Sequence, residues 1–348
     1  MSQTIATVIS PSPRDMWEQI LKIDPDTLIT QTPQWTDAMC EFGRYSDASR
    51  YYKMVDGNQI IMPLVRKNSA PPFLRMQSSL PNSWGMGGFL STQPMTTEHF
   101  QAIFKDLKSQ PAIQTTIRPN PLHSDKWATS IPEDAIVIPR CAHVIELSDD
   151  FDTYWMSLAG RVRNKIRKAE KNGVTVECDT TGRLIPVFYD LLKLSFERWG
   201  KQQNEPLFMA KWRGQQRDPI HKFEILARVL GDACRIWVAS IDGEPVSTII
   251  VLQGKNAHYT RGAMNIDLIG NSYANYLLQK CAIEDAIQLG SRYYHMGESG
   301  NSEALSSFKS QFGAMPHDYA EYRLEKLPIT KFDKNLRTMV KRLIGFKD

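Results

Sequence analysis

The chain has 348 residues, 42% of them hydrophobic and 23% charged, with a formal net charge of +4, a composition ordinary for a globular protein and a length that favours two domains over one core. The opening MSQTIATVISPSPRD has neither a positive n-region nor a long apolar core, and no apolar run approaches the ~18 residues of a membrane-spanning helix, so neither a secretory signal nor an integral membrane segment is expected. Five scattered cysteines, Cys40, Cys141, Cys178, Cys234 and Cys281, form no C-x-x-C pair, which argues against a disulfide framework or a zinc site and fits a soluble protein in a reducing cytoplasm.

Residues 12–21 read as a short helix and 30–42 as a turn leading into another. Stretches 50–55 and 59–65 alternate as strands around Asp56-Gly57-Asn58, a hairpin signal. A strand at 73–80 runs into Pro81-Asn82-Ser83-Trp84-Gly85-Met86-Gly87-Gly88, where glycine lets backbone approach a ligand closely. A helix near 97–108 and strands near 113–118 and 135–147 complete this half.

The second half opens with one long helix expected over 150–172, its apolar seam being Trp155, Leu158, Val162, Ile166 and Ala169 and its stop Asn172-Gly173. A strand at 174–178 and amphipathic helices at 184–199 and 222–230 follow. Strands 235–241 and 246–253 flank the turn Asp242-Gly243-Glu244-Pro245, and a third strand covers 257–264. Then come helix 273–289, strand 292–296, helix 304–312 ending at Gly313, and strand 319–324. In the tail, Phe332, Leu336, Val340, Leu343 and Ile344 recur at helical spacing among Lys334, Arg337, Lys341 and Arg342. Such a basic amphipathic helix docks on its own domain or rests peripherally on an anionic membrane, and docking is the favoured reading.

This order of elements (strand, two helices, a three-strand meander, helix, strand, helix, strand) resembles that of the GNAT acetyltransferases, whose later strands splay to admit an acyl donor. The first half shows a looser version, as a tandem duplication would. The expectation is an α/β fold with mixed sheets: a degenerate GNAT-like domain over 1–147, a better-preserved one over 148–328, and the basic helix over 329–348.

Local motifs sharpen the resemblance. The run Arg161-Val162-Arg163-Asn164-Lys165-Ile166-Arg167-Lys168-Ala169-Glu170-Lys171-Asn172-Gly173 resembles the basic helix-to-strand segment of the FemA, FemB and FemX peptidoglycan-bridge transferases. Phe308-Lys309-Ser310-Gln311-Phe312-Gly313 resembles their F-K-x-x-F-G segment, Gln31-Thr32-Pro33-Gln34-Trp35 their opening motif, and the 85–88 loop their first-domain glycine turn. The resemblance covers roughly 30–324. It implies amide formation: an aminoacyl group from aminoacyl-tRNA, or an acyl group from another activated donor, passed to an amine of a peptide or cell-wall precursor. One departure is the lack of a long helical hairpin arm, which leaves the acceptor, and any tRNA contact made through such an arm, open.

Aminolysis of an activated ester or thioester requires a deprotonated amine, a stabilised oxyanion and a gripped donor. No G-x-S-x-G, H-E-x-x-H or G-x-x-x-x-G-K-[ST] is present, and neither a metal nor a tightly bound cofactor is expected. Coenzyme-A-dependent relatives carry R/Q-x-x-G-x-G/A before the donor-side helix; here Asp267-Leu268-Ile269-Gly270-Asn271-Ser272 puts a carboxylate where a basic residue is wanted. Aminoacyl-tRNA therefore ranks ahead of acyl-coenzyme A as donor, with Asn271 and Ser272 as donor-loop residues, although simple helix capping by either fits both donors. Residues 161–171 hold six basic residues and one acidic residue. Arg163 and Arg167, one turn apart, form a candidate phosphate fork beside the row Arg161, Lys165 and Lys168; the competing reading is a solvated face.

Lys309 is the leading catalytic candidate, on a short helix planted by Phe308 and Phe312, for donor or acceptor phosphates or for the oxyanion. Tyr259 and Arg261 alternate with His258 and Thr260 and are expected to share a strand face, Tyr259 at the acyl site and Arg261 at donor phosphates. Glu298 is a candidate base or amine anchor, whereas His295 reads as a core histidine. Trp35 and Trp84, with Gly87 and Gly88, are candidates for an acceptor groove, burial being the rival reading for the two tryptophans. Two other function classes stay open: a coenzyme-A-dependent N-acyltransferase of small-molecule or polysaccharide metabolism, and an inactive module that binds a nucleotide, RNA or glycan.

Overall fold

The computed structural model describes residues 4–68, 71, 74–300 and 302–344. Along the chain lie β1 (Ile5–Ile9), α1 (Arg14–Ile23), α2 (Pro33–Glu41), β2 (Tyr45–Asp47), β3 (Arg50–Met54), β4 (Gln59–Met62), β5 (Val65–Lys67), β6 (Met76–Ser78), β7 (Leu90–Ser91), α3 (Thr97–Ser109), β8 (Gln114–Ile117), α4 (Ser124–Ala128) and β9 (Ile136–Glu146). Then follow α5 (Phe151–Ser157), α6 (Gly160–Lys171), β10 (Thr175–Asp179), α7 (Ile185–Gln202), α8 (Leu207–Arg217), α9 (Ile220–Leu230), β11 (Cys234–Ile241), β12 (Glu244–Gln253) and β13 (Ala257–Met264). The last are α10 (Ile266–Ile269), α11 (Ala274–Gln288), β14 (Tyr293–Glu298), α12 (Glu303–Ser310), β15 (Met315–Glu325) and α13 (Ile329–Ile344).

Two compact units form: Met1–His143 with Glu298–Ser302 and Pro316–Ile329, and Val144–Gly297 with Glu303–Met315 and Thr330–Asp348. The first unit has a four-stranded sheet, β1-β3-β4-β7. In its second sheet β15, β8, β6, β5 and β2 are successive neighbours, with β6 parallel to β8 and the other pairs antiparallel. Tyr52, Ile60, Phe89, Phe104, Trp127 and Tyr322 fill the core of this unit.

The hairpin at Asp56-Gly57-Asn58 forms as expected, with Arg50 opposite Met62. The strand expected over 59–65 is instead divided between two sheets, because Pro63 has no N–H to give to a ladder. The strand expected at 73–80 is short, Met76–Ser78, and Phe73 lies outside the described residues.

In the second unit β10–β11–β12–β13 is an antiparallel meander, and β14 joins β13 in parallel. Val162, Ile166 and Ala169 of α6 and Leu277, Leu278 and Ile283 of α11 pack with Ile249 and Val251 of β12 on one sheet face. The α7–α9 layer contacts the same strands; Ile250 and Leu252, which alternate with those residues, point to it. The α/β fold with mixed sheets that the element order predicts is the fold observed.

The long helix expected over 150–172 is two helices, a correction with a local cause. The Ser157 hydroxyl donates to the Tyr154 carbonyl at 2.6 Å, competing with the backbone, and Gly160 is a poor helix former. Leu158 and Ala159 between them are extended, with ψ of 140° and 139°. Helix α8 has no counterpart in the sequence reading. Its inward positions are Ala210 and Gly214, small residues that leave no apolar periodicity, and a Cβ on Gly214 would lie 2.6 Å from the Phe196 ring.

Helix α13 exposes Phe332 and Met339. The side chains of Leu336, Arg337, Val340, Lys341, Arg342, Leu343 and Ile344, on which the amphipathic reading also rests, lie outside the described residues. No described helix is long and apolar enough to cross a membrane.

Candidate functional site

In the second unit the basic helix and the F-K-x-x-F-G segment meet at the N-terminal turn of α11. Lys165 Nζ donates to Tyr276 Oη at 2.9 Å and to Gln311 Oε1 at 3.1 Å, and Tyr276 Oη donates to the same Gln311 oxygen at 3.1 Å. The Lys165 ammonium also lies 4.5 Å from the Tyr276 ring centroid, and Lys168 Nζ 5.4 Å from that of Tyr273. Tyr276, Phe308 and Phe312 form an aromatic trio with centroid separations of 5.2–5.7 Å, which plants α12 as expected. Tyr154 Oη donates to the Phe312 carbonyl at 3.0 Å, and Gly313, at φ +82°, ends the segment.

Held this way, Lys309 turns inward. It is 2% exposed, and its Nζ donates to the Gly297 carbonyl at 2.9 Å. Gly297 itself sits beside the Tyr259 backbone: a Cβ placed on it would lie 3.5 Å from the Tyr259 carbonyl oxygen. Strands β13 and β14 pair at Ala257–Tyr294 and His258–His295, with no further pairing among the described residues. The strands part there, and Lys309 is anchored at the parting.

The register of β13 changes what its side chains can do. Ile250 opposes Arg261 while the adjacent Val251 opposes Tyr259, so Thr260 is an extra, bulged residue. Because neighbours on β12 face opposite ways, Tyr259 and Arg261 lie on opposite faces of the sheet, contrary to the alternation expected from sequence. Tyr259 packs against the α6/α11 core, and burial pushes its phenol up to about 12. Its Oη folds back over Gly262, where a Cβ would come within 2.1 Å. Arg261 instead reaches Asp218 Oδ1 at 3.1 Å on the α7–α9 side.

The remaining candidates divide between the units. Arg163 Nη1 lies 3.0 Å from Met156 Sδ, and the Arg167 guanidinium 5.7 Å from the Trp155 ring centroid, so both pack on α5. The cations at the start of α11 are Lys165 and Lys168. Ser272 Oγ accepts the Ala274 N–H at 3.2 Å and donates to the Ile269 carbonyl at 2.6 Å, the capping arrangement, while Asn271 is exposed beside it.

In the first unit Trp35 and Trp84 are buried edge-to-face at 5.7 Å, packed together rather than open as a groove. Gly87 is glycine because a Cβ would lie 2.5 Å from Gln31 Cγ, and Gly88, at φ +83°, abuts Trp127 and Pro119. The opening motif and the glycine turn therefore lock each other, Thr30 Oγ1 donating to the Met86 carbonyl at 2.5 Å. Glu298 accepts from Tyr319 Oη and lies 3.5 Å from Arg140 Nη1.

Sequence reasoning gave no role to Tyr273, Tyr276 or Gln311, since two tyrosines outside any motif and a glutamine at a variable position of the F-K-x-x-F-G segment carry no signal until the helices dock. Burial raises the Cys40 and Cys178 thiols to about 11 and Cys234 to about 12, and raises Cys281 as well, which disfavours these four as nucleophiles. No metal-ligating cluster occurs among the described residues.

His258, buried beside this site, is lowered to about 4, first by burial and then by the Arg261 and Lys309 charges. The unfolded chain, with an ordinary histidine value of 6.5, binds more protons than the folded one between pH 4 and 6.5. Stability is therefore expected to fall on acidification through this window, by about 3 kcal/mol in all. Denaturant midpoints across pH for the protein and for His258→Gln check this; equal acid slopes in the two would refute it.

Residues 157–310 match the family described as Acetyltransferase (GNAT) domain. The structure is similar to the crystal structure of FemX, with 15% identity, a TM-score of 0.66, and coverage of 94% of this chain and 99% of that one. It is also similar to the C-terminal domain (DUF2156) of an Agrobacterium fabrum protein assigned as lysylphosphatidylglycerol synthetase: 10% identity, TM-score 0.52, coverage 94% and 96%. A conserved protein of unknown function from Bacteroides thetaiotaomicron VPI-5482 gives 10%, 0.55, 90% and 97%. No curated protein matches the chain. At these identities the likeness is one of fold, and the fold is GNAT-like.

Proposed function

We propose that this protein is an acyltransferase that forms an amide bond, moving an aminoacyl or acyl group from an activated donor to an amine. The observation that carries the reading is the junction of α6, α11 and α12, with Lys309 anchored beneath it where β13 and β14 part. The GNAT domain match over 157–310 and the FemX-like fold support it. The amine nitrogen attacks the donor carbonyl, the carbon–oxygen or carbon–sulfur bond breaks, and the proton lost by the amine ends on the leaving hydroxyl or thiol. Lys309 would stabilise the oxyanion or a phosphate, and Tyr259, whose high pKa keeps it protonated at neutral pH, would supply a hydrogen bond to the leaving atom. Lys165 and Lys168, next to the α11 N-terminus with Asn271 and Ser272, would face donor phosphates.

Aminoacyl-tRNA is the favoured donor and an amine of a peptide or cell-wall precursor the favoured acceptor, which places the reaction in the cytoplasm. Asp267, exposed one turn ahead of Gly270, disfavours a pyrophosphate at that loop. The acetyltransferase description of the matched family favours acyl-coenzyme A as the second reading. Product masses obtained with charged tRNA and with acyl-coenzyme A, each with and without ribonuclease, separate them. Ribonuclease-sensitive transfer from charged tRNA is expected. Ribonuclease-insensitive transfer from coenzyme A would overturn the donor assignment, and no transfer with either donor, alongside tight ligand binding, would favour a binding module.

A further inference from the structure

The first unit has a cleft lined by none of the sequence-predicted site residues. It lies among the residues just after α1, the stretch from β7 to α3, and α4, and encloses about 730 Å³ with its open mouth included. Its apolar lining is Phe89, Met95, Phe100 and Trp127. Phe89 stacks on Trp127 at 4.7 Å, and Phe100 meets the same indole edge-on at 5.2 Å. The stretch from β7 to α3 is fixed by the fully buried Asn58 of the first hairpin. Its Oδ1 accepts from Thr92 Oγ1 at 3.0 Å and from the Gln93 N–H at 3.1 Å, and its Nδ2 donates to the Gln93 carbonyl at 3.2 Å. The residues after α1 are fixed in turn by Asn120, whose Nδ2 donates to the Asp26 carbonyl at 3.0 Å, and by His123, whose Nε2 lies 2.9 Å from Asp26 Oδ2. The cleft is therefore formed before any ligand enters it.

We infer that this cleft binds a small molecule that carries a protonated amine on an apolar, ring-sized body. Asp24 and Asp26 supply the charge. Asp24 caps the C-terminus of α1 and Asp26 follows two residues later, so both carboxylates stand at the negative pole of that helix, where a cation is the favoured neighbour. Both are half-buried and line the cleft. Asp24 accepts the Asp26 N–H at 3.1 Å and the Ser91 N–H at 3.4 Å, bonds that orient the carboxylate without changing its charge. Of the cations in the lining, His123 bonds Asp26 and Lys126 is exposed, so the desolvated part of the cleft is made of carboxylates and aromatic rings. Burial raises the Asp24 carboxyl above its usual value, and an ammonium bound beside it would lower it again. The rings decide which cation fits. They attract an ammonium through their faces and bury the body attached to it, whereas they offer a metal ion no oxygen ligand. An anion is disfavoured by the same two carboxylates.

The inference is independent of the acyl-transfer reading, whose α6, α11 and α12 belong to the other unit, and it is read by binding without turnover. The full chain is titrated calorimetrically with phenethylamine and, as an uncharged counterpart, with N-acetylphenethylamine. The amine is expected to bind, more weakly as salt rises, and the acetylated compound to bind about tenfold more weakly still. Asp24→Asn keeps an acceptor for the two backbone N–H groups and removes the charge, so it should fold and lose about tenfold in affinity for the amine. Circular dichroism checks folding, and if that variant does not fold, Asp26→Asn carries the same expectation. Failure of the wild type to bind the amine overturns the site. Equal affinity of the wild type and the folded variant does so as well, because the amine would then sit elsewhere. Equal affinity for the two compounds overturns the ligand class, since the cleft would then take apolar molecules without regard to charge.

Discussion

Lys309→Met is expected to lower turnover by about two to three decades while the protein remains folded, the usual loss when one oxyanion or phosphate contact disappears. Methionine keeps the buried aliphatic stem and removes only the ammonium, whereas alanine would also leave a cavity at a 2% exposed position and so confuse activity with stability. The ammonium is held at a fixed place: Phe308 and Phe312 fix the helix, and the Gly297 carbonyl fixes Nζ at 2.9 Å. That carbonyl lies in the strand next to the bulged β13, where an acyl group would enter. Lys309→Arg should not restore activity, because a site closed around a compact ammonium has no room for a planar guanidinium. Steady-state rates and melting temperatures of the three proteins decide the matter. Near-normal turnover in Lys309→Met would remove the residue from the chemistry, and an equal collapse of activity and melting temperature would make its role structural.

Asp218→Ala is expected to cost about 3–5 kcal/mol of stability, the penalty for leaving a buried cation without its partner. Lys222, 2% exposed, supplies most of that penalty, since Arg217 and Arg261 keep partial access to water. The sign with pH follows from the depressed carboxyl: its contribution is present above the ordinary aspartate value of 3.8 and is lost as pH falls through the lower folded-state value. Pairing the change with Lys222→Met should recover much of the loss, because an apolar side chain of similar length needs no counter-ion. Denaturant unfolding of the single and double variants measures both effects. A loss below about 1 kcal/mol for Asp218→Ala would show that water reaches the cluster and that the pairs are of the weak surface kind.

Sequence alone was enough for the features that short-range chemistry dictates. The Asp56-Gly57-Asn58 hairpin, the meander over β11–β13, the glycine stops after α6 and α12, and the aromatic anchoring of Lys309 all depend on residues close together in the chain, where turn propensity and periodicity act. The GNAT-like fold followed from their order. The side chains that surround Lys309 were decided by docking. Lys165 meets Gln311 across 146 residues of chain, and no local pattern marks that contact. The helix break at Leu158-Ala159 turned on one serine hydroxyl competing with the backbone and one glycine after it, too small a preference to read against a strong apolar seam. The bulge at Thr260 was invisible for a related reason: one residue added to one strand leaves the hydrophobic pattern nearly intact, yet it reverses the face of every side chain beyond it. Strand alternation therefore put Tyr259 and Arg261 together, and the pairing with β12 separated them. Gly87 and Gly88 were legible as a close backbone approach, but whether ligand or core fills that space depends on what packs there, and here Gln31 and Trp127 do.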